Sequence, residues 1–257
     1  MASWDPTRYL HFADERSRPF VELIDRVDVE AARRIADLGC GPGHLTALLR
    51  GRWPEAVIEG VDSSPEMIER ATADNTDPDV TYTQTDLRHW TSEPPVDLIV
   101  SNAAFQWVPD HLESLPRLAD QVAPGGGFAF SVPGNFDAPS HRLLDELAAT
   151  EPYADHTRER ARPTAHDVAT YLGLFAGLGW QVDAWETTYL HVLTGEDPVF
   201  AWISGTGARP VLQALPDELR PVFVRRFKAA LRAAYPTREW GTILPFRRIF
   251  VVARRSA

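Results

Sequence analysis

The segment IADLGCGPGHL, residues 35–45, decides the fold that the rest of the chain is expected to adopt. A short apolar run leads into Asp37, and glycine then occupies every second position at Gly39, Gly41 and Gly43. Helical spacing of apolar residues begins directly afterwards. A buried strand, a glycine turn and a helix in that order are typical of the first unit of an open α/β sheet. Glycine suits such a turn because it adopts positive φ readily and lets a ligand approach the backbone.

Length and composition indicate a single globular domain over residues 1–257. The one cysteine, Cys40, excludes an internal disulfide framework and fits a reducing compartment. The N-terminal segment lacks the apolar core of a secretory signal, and no stretch approaches the roughly 20 apolar residues that a membrane span needs. We therefore expect a cytoplasmic protein, monomeric or homodimeric, that binds no membrane. The formal net charge of −10 argues against broad nucleic-acid binding, which depends on many phosphate contacts.

Strands and helices alternate along the chain. Strands are predicted at 33–39, 56–62, 80–86, 96–102, 125–133, 180–193 and 245–255. Helices are predicted at 18–27, 44–53, 63–73, 111–124, 140–149, 165–179, 197–206 and 216–235. This pattern predicts a doubly wound, seven-stranded, mostly parallel sheet of the Rossmann-like α/β class. Residues 197–240 are expected to form a helical lid inserted between the last two strands, and residues 1–30 a segment that covers the ligand.

Carboxylates end the first three predicted strands, at Asp37, Asp62 and Asp86. In an open α/β sheet these ends share one edge, where ligands bind. A carboxylate beside the glycine turn repels a pyrophosphate but attracts an ammonium or sulfonium group. S-adenosylmethionine carries both of these cations and no phosphate, so the pattern favours it over a dinucleotide. The alternative for any one of these acids is an ordinary helix cap at a strand end.

Each strand end has a predicted part in holding this cofactor. We expect Asp62 to accept hydrogen bonds from the ribose hydroxyls and Asp86 to accept one from the adenine amino group, with Leu87 beside the ring. The end of the fourth strand, at Asn102 and Ala103, is expected next to the reacting end. The predicted cofactor-binding residues are Tyr9, Asp37, Gly39, Gly41, Gly43, Asp62, Ser63, Asp86, Leu87, Asn102 and Ala103.

Several blocks of sequence resemble a known family. DLGCGPG (37–43) is typical of class I methyltransferases, whereas VPGNFDAPSH (132–141) and WETTYLH (185–191) are more specific. Further blocks are WDPTRYLHFADERSRP (4–19), VDSSPEM (61–67), SNAAFQWVPDH (101–111), EPYA (151–154) and PFRRIF (245–250). Together they resemble the trans-aconitate methyltransferase family over nearly the whole chain. The resemblance implies methyl transfer from S-adenosylmethionine to a carboxylate of trans-aconitate, or of a related small polycarboxylate, with S-adenosylhomocysteine as the second product.

A carboxylate acceptor needs no general base, because its ordinary pKa of about 4 leaves it ionised at neutral pH. Catalysis would then come from alignment of oxygen, methyl and sulfur and from exclusion of water, without an acid–base residue. The predicted substrate-binding residues are Arg16, Arg18, Gln106, Trp107, Asn135, Tyr189, His191 and Arg247. Of Arg247 and Arg248, one is expected to reach an anion and the other to face solvent. The spacing of histidines and acids matches no metal site, so no metal is predicted.

Three alternatives remain open at this point. A methyltransferase could act on a phenol, a quinone ring or a different acid, although a phenol would benefit from a base. A nicotinamide-dependent oxidoreductase would use a similar glycine turn, but the chain has no Tyr-x-x-x-Lys pair because residue 224, ahead of Lys228, is valine. A protein that senses the cofactor without chemistry is the third alternative.

Overall fold

The computed structural model describes residues 13–257, with side chains from residue 17 onward. Seven strands form one sheet in the order β3-β2-β1-β4-β5-β7-β6. Their bounds are β1 (Arg34–Leu38), β2 (Val57–Asp62), β3 (Val80–Gln84), β4 (Val96–Asn102), β5 (Val122–Pro133), β6 (Gln181–Leu193) and β7 (Thr242–Arg254). Strands β3, β2, β1, β4 and β5 pair in parallel, and β7 runs antiparallel to β5. The predicted seven-stranded, mostly parallel sheet is confirmed.

The first helix precedes β1, and the other helices of the described residues occupy the connections between these strands. They are α1 (Ala13–Asp25), α2 (Thr46–Arg52), α3 (Pro65–Asp74), α4 (His111–Ala119), α5 (Pro139–Ala148), α6 (Ala154–Thr157), α7 (Val168–Gly177), α8 (Pro198–Ser204), α9 (Arg209–Ala214) and α10 (Arg220–Ala234). A 3₁₀ turn covers Phe105–Trp107. The sequence pattern did not predict α6, α9 or this turn, because elements of one or two turns are too short to show helical periodicity. Within the described residues, no helix is long and apolar enough to cross a membrane.

The N-terminus of α3 forms as the sequence predicts. The Ser64 hydroxyl caps the helix by accepting a hydrogen bond from the backbone N–H of Met67 at 3.3 Å, and Pro65 occupies the first helical position. Proline costs nothing there, because the first N–H groups of a helix have no partner within it. The cap fixes where the chain leaves β2, directly after Asp62.

The described residues divide into two compact units. The sheet unit comprises Ala13–Pro133, Ala165–Thr187 and Arg248–Ala257. The helical unit comprises Gly134–Thr164 and Thr188–Arg247, so the boundary falls within strands β6 and β7. The predicted lid, 197–240, is therefore part of a larger unit that also holds α5 and α6. Its action as a lid stays a prediction.

Each unit has its own aromatic core. In the sheet unit, Phe105, Phe128, Phe130 and Phe175 are fully buried, and several of these rings meet edge to face. In the helical unit the core consists mainly of leucines and aromatic rings. It includes Leu144, Tyr153, Trp202, Phe223, Phe227, Leu231 and Leu244. Burial of one such large side chain contributes about 2 kcal/mol, so each unit holds a substantial share of the folding free energy.

Candidate functional site

The candidate site lies where the strand order of the sheet reverses, between β1 and β4. The chain turns toward β2 after β1 and toward β5 after β4, which opens a crevice at the carboxyl ends of these strands. The two departing loops touch there, because a Cβ placed on Gly39 would lie 2.2 Å from the Cβ of Ala104. The glycine turn, defined here as residues 39–43, forms the floor of this crevice.

The three glycines of the turn have different roles, although all adopt the positive φ that the sequence predicts. Their φ angles are +81° at Gly39, +57° at Gly41 and +82° at Gly43. The missing side chain of Gly39 makes room for Ala104, and that of Gly43 makes room for the hydroxyl of Tyr82, 2.5 Å from a Cβ placed there. Only Gly41 faces open space, with no atom within 4 Å of such a Cβ. Gly41 is therefore the position at which a ligand can approach the backbone.

Every backbone N–H of the glycine turn already has a partner inside the protein. The bonds run from Gly39 and Cys40 to the Val61 carbonyl (2.7 and 3.0 Å), from Gly41 to Asp62 Oδ2 (2.9 Å) and from Gly43 to the Cys40 carbonyl (3.2 Å); Pro42 has no N–H. A turn that binds phosphate instead points its N–H groups at the ligand. The glycine turn thus lacks free donors for a pyrophosphate.

Asp37, the last-but-one residue of β1, is a buried carboxyl group with 2% of its surface exposed. Its Oδ2 accepts a hydrogen bond from Thr46 Oγ1 at 2.6 Å. Burial raises the pKa of Asp37 from its ordinary 3.8 to about 7; the Thr46 hydrogen bond lowers it, and the nearby Asp62 raises it. A cation bound beside Asp37 would offset this penalty, because an opposite charge favours the ionised form. The site therefore fits a cationic, phosphate-free ligand.

Asp62, at the end of β2, ties the glycine turn to the start of α3. Its Oδ2 accepts from the N–H of Gly41, and its Oδ1 accepts from the N–H of Ser64, both at 2.9 Å. Burial raises the pKa of Asp62, and these backbone hydrogen bonds act against that rise. A carboxylate has about four acceptor positions, so Asp62 can still accept from ribose hydroxyls.

Asp86 follows β3 and is held by Arg88, which the sequence analysis did not single out. Arg88 Nη2 donates to Asp86 Oδ2 at 2.6 Å, and the N–H of Arg88 donates to Oδ1 at 2.9 Å. The arginine side chain keeps the pKa of Asp86 below its ordinary value. The neighbouring Leu87 is buried, and Arg117 of α4 donates to the carbonyl groups of Leu87 and Trp90 at 2.8 and 2.6 Å. Arg117 therefore fixes the loop that is predicted to hold adenine.

The end of β4 carries a strained residue and a buried amide. Ala103 has a φ of +56°, unusual for a residue with a side chain, and its N–H donates to the Ser131 carbonyl at 2.8 Å. Asn102 Oδ1 accepts from Ser131 Oγ at 2.6 Å. Gln106 donates through Nε2 to the Ala103 carbonyl, and its Oε1 is buried without a hydrogen-bond partner in the described part of the chain. Such an orphan acceptor indicates a missing donor.

The predicted substrate residues of the helical unit lie in buried surroundings. Asn135 is 4% exposed, and its Oδ1 has no hydrogen-bond partner among residues 13–257. Tyr189 and His191 are stacked, as expected for neighbours on one strand face, and the His191 ring also lies 4.5 Å from that of Trp202. Arg247 Nε donates to the Gly134 carbonyl at 2.6 Å, which braces the turn ahead of Asn135.

Arg247 and Arg248 are less exposed than surface arginines usually are. Arg247 is half-buried and Arg248 is only 5% exposed. Which of the two contacts an anion stays a prediction. Arg209 of α9 is also buried, with 8% of its surface exposed, and no sequence pattern indicated it.

The remaining predicted positions lie on the surface or outside the described residues. Arg18 lies on α1 with its side chain 66% exposed and pairs with Glu22 at 2.9 Å, as a surface arginine does. Trp107 is half-buried in the 3₁₀ turn after β4, and Ser63 is exposed beside Asp62. Tyr9 and the side chain of Arg16 lie outside the part of the chain that the structure describes.

A seven-stranded sheet of this order, with an acid-flanked glycine turn at its switch point, defines a class I methyltransferase that uses S-adenosylmethionine. A methyltransferase-domain family matches residues 9–183. Trans-aconitate 2-methyltransferases of Streptomyces avermitilis and Rhodococcus jostii are each 50% identical to this chain, over 99% and 98% of it and 98% and 99% of their own lengths. The chain belongs to the trans-aconitate 2-methyltransferase family.

Solved structures agree on the fold. A methyltransferase structure from Bacillus halodurans superposes with a TM-score of 0.59 at 13% identity, over 93% of this chain and 100% of the other. At that identity the likeness concerns the fold alone.

Substitution of the two glycines at the crevice should separate folding from binding. Gly41→Ala should fold and bind S-adenosylhomocysteine about tenfold more weakly, roughly 1.4 kcal/mol, because its methyl group enters the ligand's approach and its φ is disfavoured. Gly39→Ala should lower the free energy of unfolding by roughly 3 kcal/mol, because its Cβ collides with Ala104. Calorimetric titration and denaturant unfolding measure the two effects. These roles would be contradicted if Gly39→Ala weakened binding as much as Gly41→Ala does and left the free energy of unfolding unchanged.

Binding of S-adenosylhomocysteine, which keeps the ammonium group, should release protons below pH 7. Asp37 is largely protonated there in the free protein, and the ligand's positive charge favours its ionised form. Affinity should therefore fall as the pH drops from 7 to 6. Titrations in two buffers of different ionisation enthalpy measure the proton release, which Asp37→Asn should abolish.

The free energy of unfolding of the free protein should change with pH in the opposite direction, and should fall where the affinity rises. Because the folded-state pKa of Asp37 is raised, this carboxyl group favours unfolding increasingly as the pH rises from 3.8 to about 7. Asp37→Asn should remove that slope. Unchanged proton release and an unchanged slope in Asp37→Asn would show that another group titrates.

Proposed function

We propose that the protein transfers the methyl group of S-adenosylmethionine to a carboxylate oxygen of trans-aconitate, or of a closely related small polycarboxylate. The observation that carries the proposal is 50% identity over essentially the full length to relatives named trans-aconitate 2-methyltransferase. The product would be a monomethyl ester. The proposal assigns no general base, because the acceptor is ionised at neutral pH.

The residues of the sheet unit fit the cofactor. When bound, S-adenosylmethionine supplies a methyl group made electrophilic by its sulfonium sulfur. Asp37 provides a negative charge for the cationic end, and Gly41 leaves the backbone open to it. Asp62 and Asp86, held by backbone N–H groups and by Arg88, offer oriented acceptors for ribose and adenine. Orientation of the cofactor by fixed groups is the main contribution that the protein can make to an in-line transfer.

The acceptor carries several carboxylates, and these need different surroundings. A carboxylate clamped by a guanidinium group is a poor nucleophile, so arginine is suited to the carboxylates that do not react. Arg248 and Arg209 are the strongest candidates because both side chains are buried. Attraction between opposite charges is stronger away from water. Such buried cations would attract an anionic substrate locally, although the protein's net charge of −10 repels it at longer range.

Neutral amides are suited to the reacting carboxyl group. Asn135 and Gln106 each hold a buried acceptor oxygen without a partner in the described residues. For Asn135, rotation of the amide by 180° would present its NH₂ donor instead, since both orientations fill the same volume. Gln106 is fixed by its bond to the Ala103 carbonyl, so its oxygen favours a donor such as an ammonium group and is not suited to the ionised acceptor.

A labelled-acceptor panel tests the reaction. Incubation with methyl-labelled cofactor and a series of di- and tricarboxylates should place label in a base-labile ester, with trans-aconitate among the best acceptors. Label in a ring carbon, a phenol ether or an amide would overturn the acceptor assignment. Binding of S-adenosylhomocysteine without label in any acid would favour the sensor alternative.

Substitution of Arg248 should weaken binding of the acceptor and leave binding of the cofactor unchanged. Arg248→Gln should raise KM for the acid by at least about tenfold, the loss typical of a charge-assisted hydrogen bond, with unchanged affinity for S-adenosylhomocysteine. Arg225→Gln, at an exposed arginine of α10, is the matched control and should leave both constants unchanged. Thermal unfolding checks that the buried substitution folds. A folded Arg248→Gln protein with normal KM would remove Arg248 from the substrate site.

A further inference from the structure

Gln106 holds a buried amide oxygen for which the described protein supplies no donor. The residue lies in the 3₁₀ turn after β4 and is 5% exposed. Its Nε2 donates to the Ala103 carbonyl at 2.5 Å, whereas its Oε1 has no hydrogen-bond partner in the part of the chain that the structure describes. A buried acceptor without a partner is costly, so this oxygen indicates a donor that a ligand brings.

The bond to Ala103 fixes which way this amide faces. Rotation of the Gln106 amide by 180° would place its oxygen 2.5 Å from the Ala103 carbonyl oxygen, where two acceptors repel each other. The unpartnered atom is therefore an oxygen, which can only accept a hydrogen bond. An ionised carboxylate also only accepts, so the methyl acceptor cannot be its partner at neutral pH.

Aromatic packing holds the turn that carries Gln106. The Phe105 side chain is fully buried, and its ring meets that of Phe130 edge to face with centroids 5.5 Å apart. It also stacks on the ring of His111 at 6.3 Å, and His111 Nε2 lies 2.7 Å from the Tyr171 hydroxyl. The amide oxygen is therefore held in place by the core of the sheet unit, as preorganised binding requires.

The same turn borders the crevice at the switch point. Ala104 occupies the space that the missing side chain of Gly39 leaves, so the turn after β4 packs against the glycine turn. Asp37 lies two residues before Gly39, and Gln106 lies two residues after Ala104. A carboxyl group and an amide oxygen therefore border the crevice from its β1 side and its β4 side.

The order of the strands indicates which donor of the cofactor reaches Gln106. S-adenosylmethionine carries hydrogen-bond donors on the adenine, on the ribose and on the ammonium group. Asp86 after β3 and Asp62 of β2 are the predicted acceptors for the first two. Strands β1 and β4 come next in the sheet, so the donor that remains for Gln106 is the ammonium group.

We propose that Gln106 is a specificity-determining residue of the cofactor site, whose Oε1 accepts a hydrogen bond from the ammonium group while Asp37 supplies the opposite charge. The inference rests on the proposed use of S-adenosylmethionine. The sequence pattern grouped Gln106 with the methyl acceptor, whereas the fixed orientation of its amide favours the cofactor. The site thereby selects ligands that carry the amino group of the cofactor.

The test compares S-adenosylhomocysteine with its deamino analogue, in which hydrogen replaces the ammonium group. Gln106→Met keeps the length of the side chain and removes the acceptor oxygen. It should weaken binding of S-adenosylhomocysteine by at least about tenfold, the lower end for a hydrogen bond to a charged group, and leave binding of the analogue unchanged. Calorimetric titration gives the four affinities, and their non-additivity isolates the contact between Gln106 and the ammonium group.

Gln121→Met is the matched control. Gln121 lies directly before β5 in the same unit, and its Oε1 accepts from the backbone N–H of Ser92 at 3.0 Å. Its loss should lower stability and leave the affinities for both ligands unchanged. Gln106→Asn, which withdraws the amide by one methylene group, should show the same selective loss as Gln106→Met and takes its place if that variant does not fold.

Two results would decide against the proposal. Equal losses for the two ligands would overturn it, because they would indicate a general disturbance of the turn. Unchanged affinity for S-adenosylhomocysteine would also overturn it, and a raised KM for the acid in the same variant would return Gln106 to the acceptor site. Failure of the unmodified protein to bind S-adenosylhomocysteine would instead reject the cofactor assignment on which the inference rests.

Discussion

The burial of a carboxyl group at the end of β1 is the constraint on which the rest of the site depends. Asp37 lies at the switch point with almost no exposure to water, and its one strong hydrogen bond comes from Thr46. A charge in that position is costly unless a cation joins it. The neighbouring turn uses all of its N–H groups internally, so it has no free donor with which to bind an anionic group of a ligand. These two facts together select a positively charged ligand and separate this site from the phosphate-binding turns of similar sheets.

Features encoded locally could be predicted from the sequence. The strand, turn and helix around Asp37, the cap at Ser64 and the parallel order of the first strands follow from patterns a few residues long. The acids at three strand ends were predictable because parallel strands bring their carboxyl ends to one edge. The short helices α6 and α9 were not, since they carry no periodic signal. The structure thus bears out the patterns that repeat along a single element.

Features that depend on contacts between distant residues could not be predicted. The roles of Gly39 and Gly43 are set by Ala104 and Tyr82, which no spacing rule connects to the turn. Arg88 and Arg117 read as surface charges in the sequence but hold Asp86 and the loop at Leu87 through specific acceptors. Burial of Arg248 was missed because a charged residue next to an apolar strand ordinarily faces water. A hydroxyl residue at the start of the helix after the turn, Thr46, was the one available signal of a partner for Asp37.

The closed hydrogen bonding of the glycine turn has a thermodynamic consequence. Loops that depend on a ligand for their backbone partners must be ordered when the ligand arrives, and that ordering subtracts from affinity. Here β2 completes the turn through the Val61 carbonyl and Asp62, so the backbone partners of the turn come from the protein itself. The crevice floor is therefore preorganised, and the entropy of fixing it belongs to folding. The cofactor and its demethylated product would both meet this preorganised surface, so neither would bear the entropic cost of ordering it on binding.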